Sequence, residues 1–284
     1  MTSSLKVAVI GAGTMGNGIA QTYAANGHNV TLVDMSQEGL DRGLAAIRKS
    51  LDRFVKKEKI TQEQSDEIMA RVAGSTDLPT AVADVDMVVE AVFEREDVKK
   101  DVFVQLDKHA PQGAILATNT SSISITAIAS ATSRPESVVG MHFMNPVPLM
   151  KLVELIKGEK TSDEVVSRTK EIAKGLGKTV GVAEDYAGFI SNRVLMPMIN
   201  VAAFTLYEGV ATRDDIDTIM KLGMNHPMGP LALADFIGID VCVNILDYMR
   251  DQFGDPKFRC APNMRRMVEA GKLGRKSGEG FYTY

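Results

Sequence analysis

Cysteine is scarce in this chain: only Cys242 and Cys260 occur among its 284 residues. Two thiols cannot build a disulfide framework, and they fit a reducing compartment. No run of cysteines or pairing of His with Glu has the spacing that holds zinc, so no metal is expected. Long apolar runs are missing as well. No stretch approaches the ~20 residues needed to cross a bilayer. No signal-peptide core or transit pattern precedes the first apolar run at Leu5, so no membrane partner and a cytoplasmic location are expected. Charge of one sign is also lacking. Lys and Arg number 32 against 36 Asp and Glu, a net charge of -4, which calls for neither nucleic acid nor an anionic membrane surface. Repeats and low-complexity segments are absent. What remains is an ordinary globular composition, 45% hydrophobic and 24% charged, long enough for one large domain or two ordinary ones.

The apolar pattern alternates between two periods. Leu5 to Ile10 is a short apolar run stopped by glycine, the signature of a buried parallel strand. Asn17 to Asn26 reads as a helix closed by Gly27. Strands follow at Val30 to Val33, Val85 to Val92, Ala114 to Thr118 and Ser137 to Phe143, with a helix over Glu94 to His109. This predicts an α/β fold with a Rossmann-type doubly wound sheet. About fifty residues separate Val33 from Val85, far more than a crossover needs. Leu40, Leu44, Ile47, Leu51 and Val55 step by three or four, which predicts a long amphipathic helix. Thr61 to Gln64 has capping-box spacing and opens a second helix to about Val72. Together these predict an inserted helical hairpin projecting from the sheet. One more strand is expected at Lys178 to Ala183 and a hinge at Glu184 to Gly188. Beyond it the texture is all-helical: Ile190, Val194, Met198 and Val201 share one helix face, and further helices are expected over Thr212 to Leu222 and Ile239 to Gln252. The expected domains are therefore 1-184, the Rossmann-type domain, and 185-284, an all-helical C-terminal domain.

Gly11, Ala12, Gly13, Thr14, Met15 and Gly16 spell G-x-G-x-x-G between a strand and a helix, the context in which the motif binds a dinucleotide. Gly11 permits the tight turn, Gly13 lets a pyrophosphate approach the backbone, and Gly16 allows close helix packing. The helix N-terminus offers unpaired N–H groups to the anion. Asp34 closes the second strand and can accept hydrogen bonds from an adenosine ribose. Its charge would repel a 2′-phosphate, which points to NAD rather than NADP.

His142 stands at the end of a strand, where ligands gather in open α/β sheets. Glu154 follows twelve residues later between apolar neighbours. If the chain reverses around Pro146 to Pro148, the two become neighbours across paired strands, and the carboxylate would fix the imidazole tautomer. The spacing equally fits a core histidine and an unrelated surface glutamate, the commoner arrangement. Such a pair would serve alcohol oxidation, where a base must take the hydroxyl proton as hydride leaves. Asn119 to Ser122 either cap the following helix or donate to a substrate oxygen. Asn192, at the start of the first helix of the second domain, is of a kind that is commonly structural.

Taken together the chain resembles the L-3-hydroxyacyl-CoA dehydrogenase family. The resemblance rests on GAGTMGNGIA (11 to 20), ATNTSSISIT (117 to 126), GMHFMNPVPLMKLVELI (140 to 156), AGFISNRV (187 to 194), MGPLALADFIGID (228 to 240) and GRKSGEGFYTY (274 to 284). It implies that His142 is the general base for alcohol oxidation and the acid in reverse, and that Glu154 orients it. It implies that Ser121 and Asn192 hold the reacting oxygen and align substrate with nicotinamide. Glu94, Lys99, Asn145 and Lys276 match positions near the cofactor, and Ser50 and Lys57 match positions that contact CoA. Arg53 and Lys56, close by on the same helix, carry charge suited to the CoA phosphates. The family further implies an acyl-CoA substrate, NAD as cofactor, a homodimer formed through the helical domain, and a cleft that closes on substrate. With no hydratase or thiolase segment in the sequence, a stand-alone dehydrogenase is expected. The competing expectations are a gulonate-type sugar-acid dehydrogenase on the same fold, and a non-catalytic protein recruited from it.

Overall fold

The computed structural model describes residues 4–284. The chain divides into two compact units, Met1–Tyr186 and Ala187–Tyr284. The first unit runs β1 (Lys6–Ile10), α1 (Thr14–Ala25), β2 (Asn29–Val33), α2 (Gln37–Lys56), α3 (Gln62–Ala70), β3 (Val72–Ser75), α4 (Leu78–Val82), β4 (Met87–Glu90), α5 (Glu96–His109), β5 (Ile115–Thr118), α6 (Ile125–Ala129), β6 (Val138–Phe143), β7 (Leu152–Lys157), α7 (Asp163–Gly175) and β8 (Thr179–Glu184).

These strands form a single eight-stranded sheet in the order β3-β2-β1-β4-β5-β6-β7-β8. Every pairing is parallel except β6 with β7. Helices cover the sheet, so its central strands are apolar throughout rather than alternating: Val7, Val9, Leu32, Met87, Val89 and Ile115 are all buried. The order reverses beside β1, between β2 and β4. That is the switch point at which open α/β sheets take their ligands. No helix among the described residues is long and apolar enough to cross a membrane.

The inserted segment departs from the expected hairpin in two ways. The capping box is real, with Thr61 and Gln64 exchanging side-chain and backbone bonds. The helix stops at Ala70, however, and Val72–Ser75 pairs in parallel with β2 as an edge strand. Four residues containing Gly74 are too short to show a period of two, which is why the pattern does not reveal it. Nor does the pair of helices stand off from the sheet. Leu40, Ile47, Leu51 and Ile68 are buried in the same cluster as Ile19 and Tyr23 of α1. Each such side chain contributes about 1.5–3 kcal/mol by leaving water. Other edges also move: β4 is Met87–Glu90 rather than Val85 to Val92, and α7, not anticipated from the sequence, connects β7 to β8.

The turn from β6 to β7 is fastened at both ends. Lys178 Nζ donates to the carbonyls of Val147 (2.6 Å) and Met150 (2.7 Å). A Cβ on Gly18 of α1 would lie 3.0 Å from Cβ of Val147, so the turn rests closely on that helix and a larger residue at position 18 would have to push it back by a few tenths of an ångström.

The second unit contains α8 (Ser191–Tyr207), α9 (Arg213–Gly223), α10 (Pro230–Ile237), α11 (Ile239–Phe253) and α12 (Pro262–Glu269). Its core is built from Met196, Ile199, Ala203, Leu231, Cys242, Leu246 and Met264. The stripe of Ile190, Val194 and Val201 does not join this core: their exposures are 51%, 67% and 63%. Buried Asp235 of α10 takes hydrogen bonds from the Phe281 and Tyr282 amides and the Tyr284 hydroxyl, docking the last residues of the chain on the bundle.

Candidate active site

The glycine turn has the geometry the motif calls for. Gly11 has φ +100°, and a Cβ there would sit 2.6 Å from the Ala91 carbonyl oxygen. A Cβ on Gly16 would collide with the Gly11 carbonyl, so α1 can start this close to β1 only without one. Gly13 differs: a Cβ there would meet nothing within 4 Å. What requires glycine at position 13 is therefore open space in front of the backbone, the room a pyrophosphate would fill. Gly13 is the N-cap of α1, and no side chain caps that helix or places an acid in its first turn. Its first amides thus face the same space with the positive end of the helix dipole. Ala12, Thr14 and Met15 lie in this turn. Asp34, half-buried at the end of β2, accepts from the Ala12 amide at 3.0 Å and the Ser36 amide at 3.1 Å. These residues fit a dinucleotide diphosphate with its adenosine half over β2.

His142 and Glu154 are paired residues of the antiparallel β6–β7 ladder. Their side chains share one face, and His142 Nδ1 lies 3.0 Å from Glu154 Oε2. Both are buried, at 9% and 4% exposure. A carboxylate at Nδ1 holds the proton there and makes Nε2 the basic nitrogen. The same contact would steady an imidazolium once Nε2 takes a proton.

A second cluster joins the ends of β4 and β5. Glu94 Oε1 accepts from the Thr120 hydroxyl (2.6 Å), the Ser121 amide (2.9 Å) and hydroxyl (3.3 Å), and the Ser122 amide and hydroxyl (both 3.1 Å). Burial works to raise the Glu94 pKa, but the Lys99 charge and these hydrogen bonds outweigh it and hold the carboxyl below its usual range. Lys99 Nζ lies 3.4 Å from Glu94 and 2.7 Å from Glu90. Sequence reasoning placed Lys99 near the cofactor, yet only 1% of it is exposed. Glu90 was missed altogether. The available signal was a glutamate closing the otherwise apolar strand Met87–Glu90, since a charged residue is almost never fully buried unless paired.

Asn119 Oδ1 accepts from the Phe143 amide at 2.9 Å and so ties β5 to β6. That oxygen is committed to the scaffold, and the loop's helix-capping role falls instead to Ser124, whose hydroxyl accepts from the Ala127 amide. Asn145 is exposed two residues beyond β6. In the second unit Asn192 is buried in the first turn of α8, and Lys276 Nζ pairs with Asp240 at 2.6 Å. On α2, Ser50 is half-buried, and Arg53, Lys56 and Lys57 are exposed at its C-terminal end. Arg48, one turn earlier, is bound to Asp66 at 2.7 Å. Among the described residues, none of Arg53, Lys56 and Lys57 forms a salt bridge.

Comparison with known proteins agrees with this architecture. The family model described as 3-hydroxyacyl-CoA dehydrogenase, NAD binding domain, matches residues 6–186, and that of the same family's C-terminal domain matches residues 188–284. A probable 3-hydroxybutyryl-CoA dehydrogenase of Deinococcus radiodurans is 53% identical over 280 residues, covering 99% of this chain and 100% of the relative. The 3-hydroxybutyryl-CoA dehydrogenase of Bradyrhizobium diazoefficiens is 50% identical, covering 98% of this chain and 95% of the relative. The crystal structure of (S)-3-hydroxybutyryl-CoA dehydrogenase from Ralstonia eutropha superposes with a TM-score of 0.96 at 48% identity, covering 99% of each chain. With both of its units matched and relatives of this identity along nearly its whole length, the chain belongs to the 3-hydroxyacyl-CoA dehydrogenase family and carries that family's NAD-binding domain.

Proposed function

We propose that this chain interconverts a short-chain (S)-3-hydroxyacyl-CoA, 3-hydroxybutyryl-CoA first of all, and the corresponding 3-ketoacyl-CoA. The observation that carries the reading is the His142–Glu154 contact of 3.0 Å, on a sheet whose other half holds a dinucleotide turn. Bound NAD supplies the hydride acceptor. In the oxidative direction His142 Nε2 takes the hydroxyl proton while hydride leaves the same carbinol carbon, so the alcohol loses two electrons and two hydrogens and becomes a ketone. Glu154 stabilises the imidazolium that results. In the reductive direction the imidazolium returns its proton to the ketone oxygen. A base so placed contributes about 10² to 10⁴ in rate. The family resemblance supports a role for Ser121 at the reacting oxygen and for Asn145 beside the cofactor; for Asn192 and Lys276 of the second unit it is the resemblance alone that supports such roles.

Arg53, Lys56 and Lys57 at the C-terminal end of α2, which form no salt bridge among the described residues, support a phosphate-bearing CoA ester over a free acid. The relatives named 3-hydroxybutyryl-CoA dehydrogenase support a short acyl chain. We also read the chain as a cytoplasmic homodimer joined through its second unit, where Val194, Val201, Ile219, Leu222 and Met224 are 60–80% exposed. Apolar exposure on that scale suits a protein interface.

The test is NADH oxidation by purified protein with acetoacetyl-CoA, run beside free acetoacetate, a sugar acid with NAD, and NADPH. Turnover that requires the CoA ester and prefers NADH is expected. Turnover of the free acid or the sugar acid alone would replace this reading with a dehydrogenase for unesterified acids.

A further inference from the structure

The Glu90–Lys99–Glu94 cluster is left over once the proton-transfer pair and the glycine turn are accounted for. Glu90 is 0% exposed and Lys99 1%, so neither can touch a bound molecule without leaving the core. Their places are fixed on every side. Glu90 accepts from Lys99 Nζ and the Val92 amide through Oε1, at 2.7 and 2.6 Å, and from the Thr118 hydroxyl through Oε2, at 2.7 Å. Glu94 bridges Lys99 to the Thr120–Ser122 loop. Two carboxylates against one ammonium leave one net negative charge at this place. Glu90 and Lys99 offset one another in the core, so the surplus charge lies on Glu94, whose side chain is 38% exposed.

The position of the cluster gives that charge a target. Asp34 at the end of β2 fixes the adenosine half of the dinucleotide on one side of the β1 glycine turn. The nicotinamide half therefore extends over the ends of β4, β5 and β6. His142 ends β6, and Glu94 is tied to the loop after β5. The ring that lies there is a cation when oxidised and neutral when reduced.

We propose that the Glu90–Lys99–Glu94 cluster is a fixed electrostatic element that makes this site favour the oxidised, cationic nicotinamide over the reduced one, and so sets the redox poise of the bound couple. Glu90 and Lys99 act in this as positioning residues, through charge and through Glu94, without contact with the cofactor. The proposal rests on the hydride-transfer reading above.

The test is the ratio of binary dissociation constants for NAD and NADH, measured by calorimetry and by nicotinamide fluorescence, with no substrate present. Glu90→Gln keeps the shape of the side chain and an acceptor oxygen for Lys99 and the Val92 amide, turns the group facing the Thr118 hydroxyl from acceptor to donor, and removes one charge. It should weaken NAD relative to NADH by about two- to tenfold, the effect of one unit charge several ångströms away at an intermediate effective dielectric. Glu90→Gln combined with Lys99→Met restores the net negative charge with different side chains, and its ratio should return to that of wild type. A merely structural role would leave the double variant at least as impaired as the single one. If Glu90→Gln does not fold, as judged by circular dichroism, Glu94→Gln reaches the same net charge from a partly exposed position and should move the ratio the same way. An unchanged ratio in the folded single variant, or a double variant that stays with the single one, overturns the proposal. Failure of wild type to bind either cofactor would instead overturn the hydride-transfer reading.

Discussion

Asp34 shows how much a single side chain carries at this site. One carboxylate oxygen anchors the Ala12 amide inside the glycine turn and the other holds the Ser36 amide at the start of α2. It shapes the turn, and in the proposed cofactor site its negative charge would oppose a 2′-phosphate. Asp34→Ala should lower the preference for NADH over NADPH by roughly tenfold, about 1–2 kcal/mol of lost repulsion. The ratio of kcat/KM for the two cofactors measures it, and an unchanged ratio would remove Asp34 from cofactor selection. The two cysteines behave in the opposite manner. Burial pushes the Cys242 thiol up to about 12, with Cys260 nearby adding to it, and pushes Cys260 up to about 11. The thiolate is the reactive species, so neither should react with a disulfide reagent at pH 8 until the protein is unfolded. Prompt titration of the native protein would contradict that. At this scale the sequence was most informative where symmetry constrains pairing. Positions 142 and 154 flank the turn at 148, and the β6–β7 register sets them opposite one another. The Glu90–Lys99 bond was illegible because it joins a strand to the helix after it through packing that no spacing rule describes.

Among the elements, the short strand β3 escaped the sequence pattern, and so did the thirteen-residue helix α7. Periodicity found α2 because Leu40, Leu44, Ile47, Leu51 and Val55 repeat along one face. It missed β3, whose four residues bury too little to leave a stripe. It grouped Ile190, Val194 and Val201 on one face but left open what covers them, since apolar spacing marks a face without saying what packs on it; all three are exposed. The end of α2 gathers three basic side chains with no carboxylate partner among the described residues, where a helix C-terminus already favours positive charge. Replacing Lys56 and Lys57 by Glu should raise KM for acetoacetyl-CoA about tenfold or more, leave kcat within about twofold, and alter the dependence of KM on salt. Steady-state kinetics at several ionic strengths check this. Unaltered KM would leave these residues with no role beyond the helix end.

For the whole molecule, the doubly wound sheet and the all-helical second unit were both foreseeable from the alternation of periods, whereas the strand order, with β3 at its edge, was not. The composition of the second core and the docking of Phe281–Tyr284 on Asp235 were not, because they depend on packing between separate helices and, for Asp235, on bonds to residues 46 to 49 positions away. The apolar side chains exposed on the second unit lead to a further expectation. Wild type should elute as a dimer in light-scattering chromatography, and Val194→Asp with Leu222→Asp should shift it toward monomer. A wild-type monomer would require another explanation for those exposed residues.

The central claim is that His142, held by Glu154, moves the proton as hydride crosses to or from the nicotinamide. The most direct measurement is kcat for acetoacetyl-CoA reduction by His142→Gln at saturating NADH, with NADH binding measured on the same preparation. A fall of about 10² to 10⁴ with NADH affinity nearly intact is the result this account requires. Turnover close to wild type, from a folded protein that binds NADH, would contradict it and move the proton transfer to another residue.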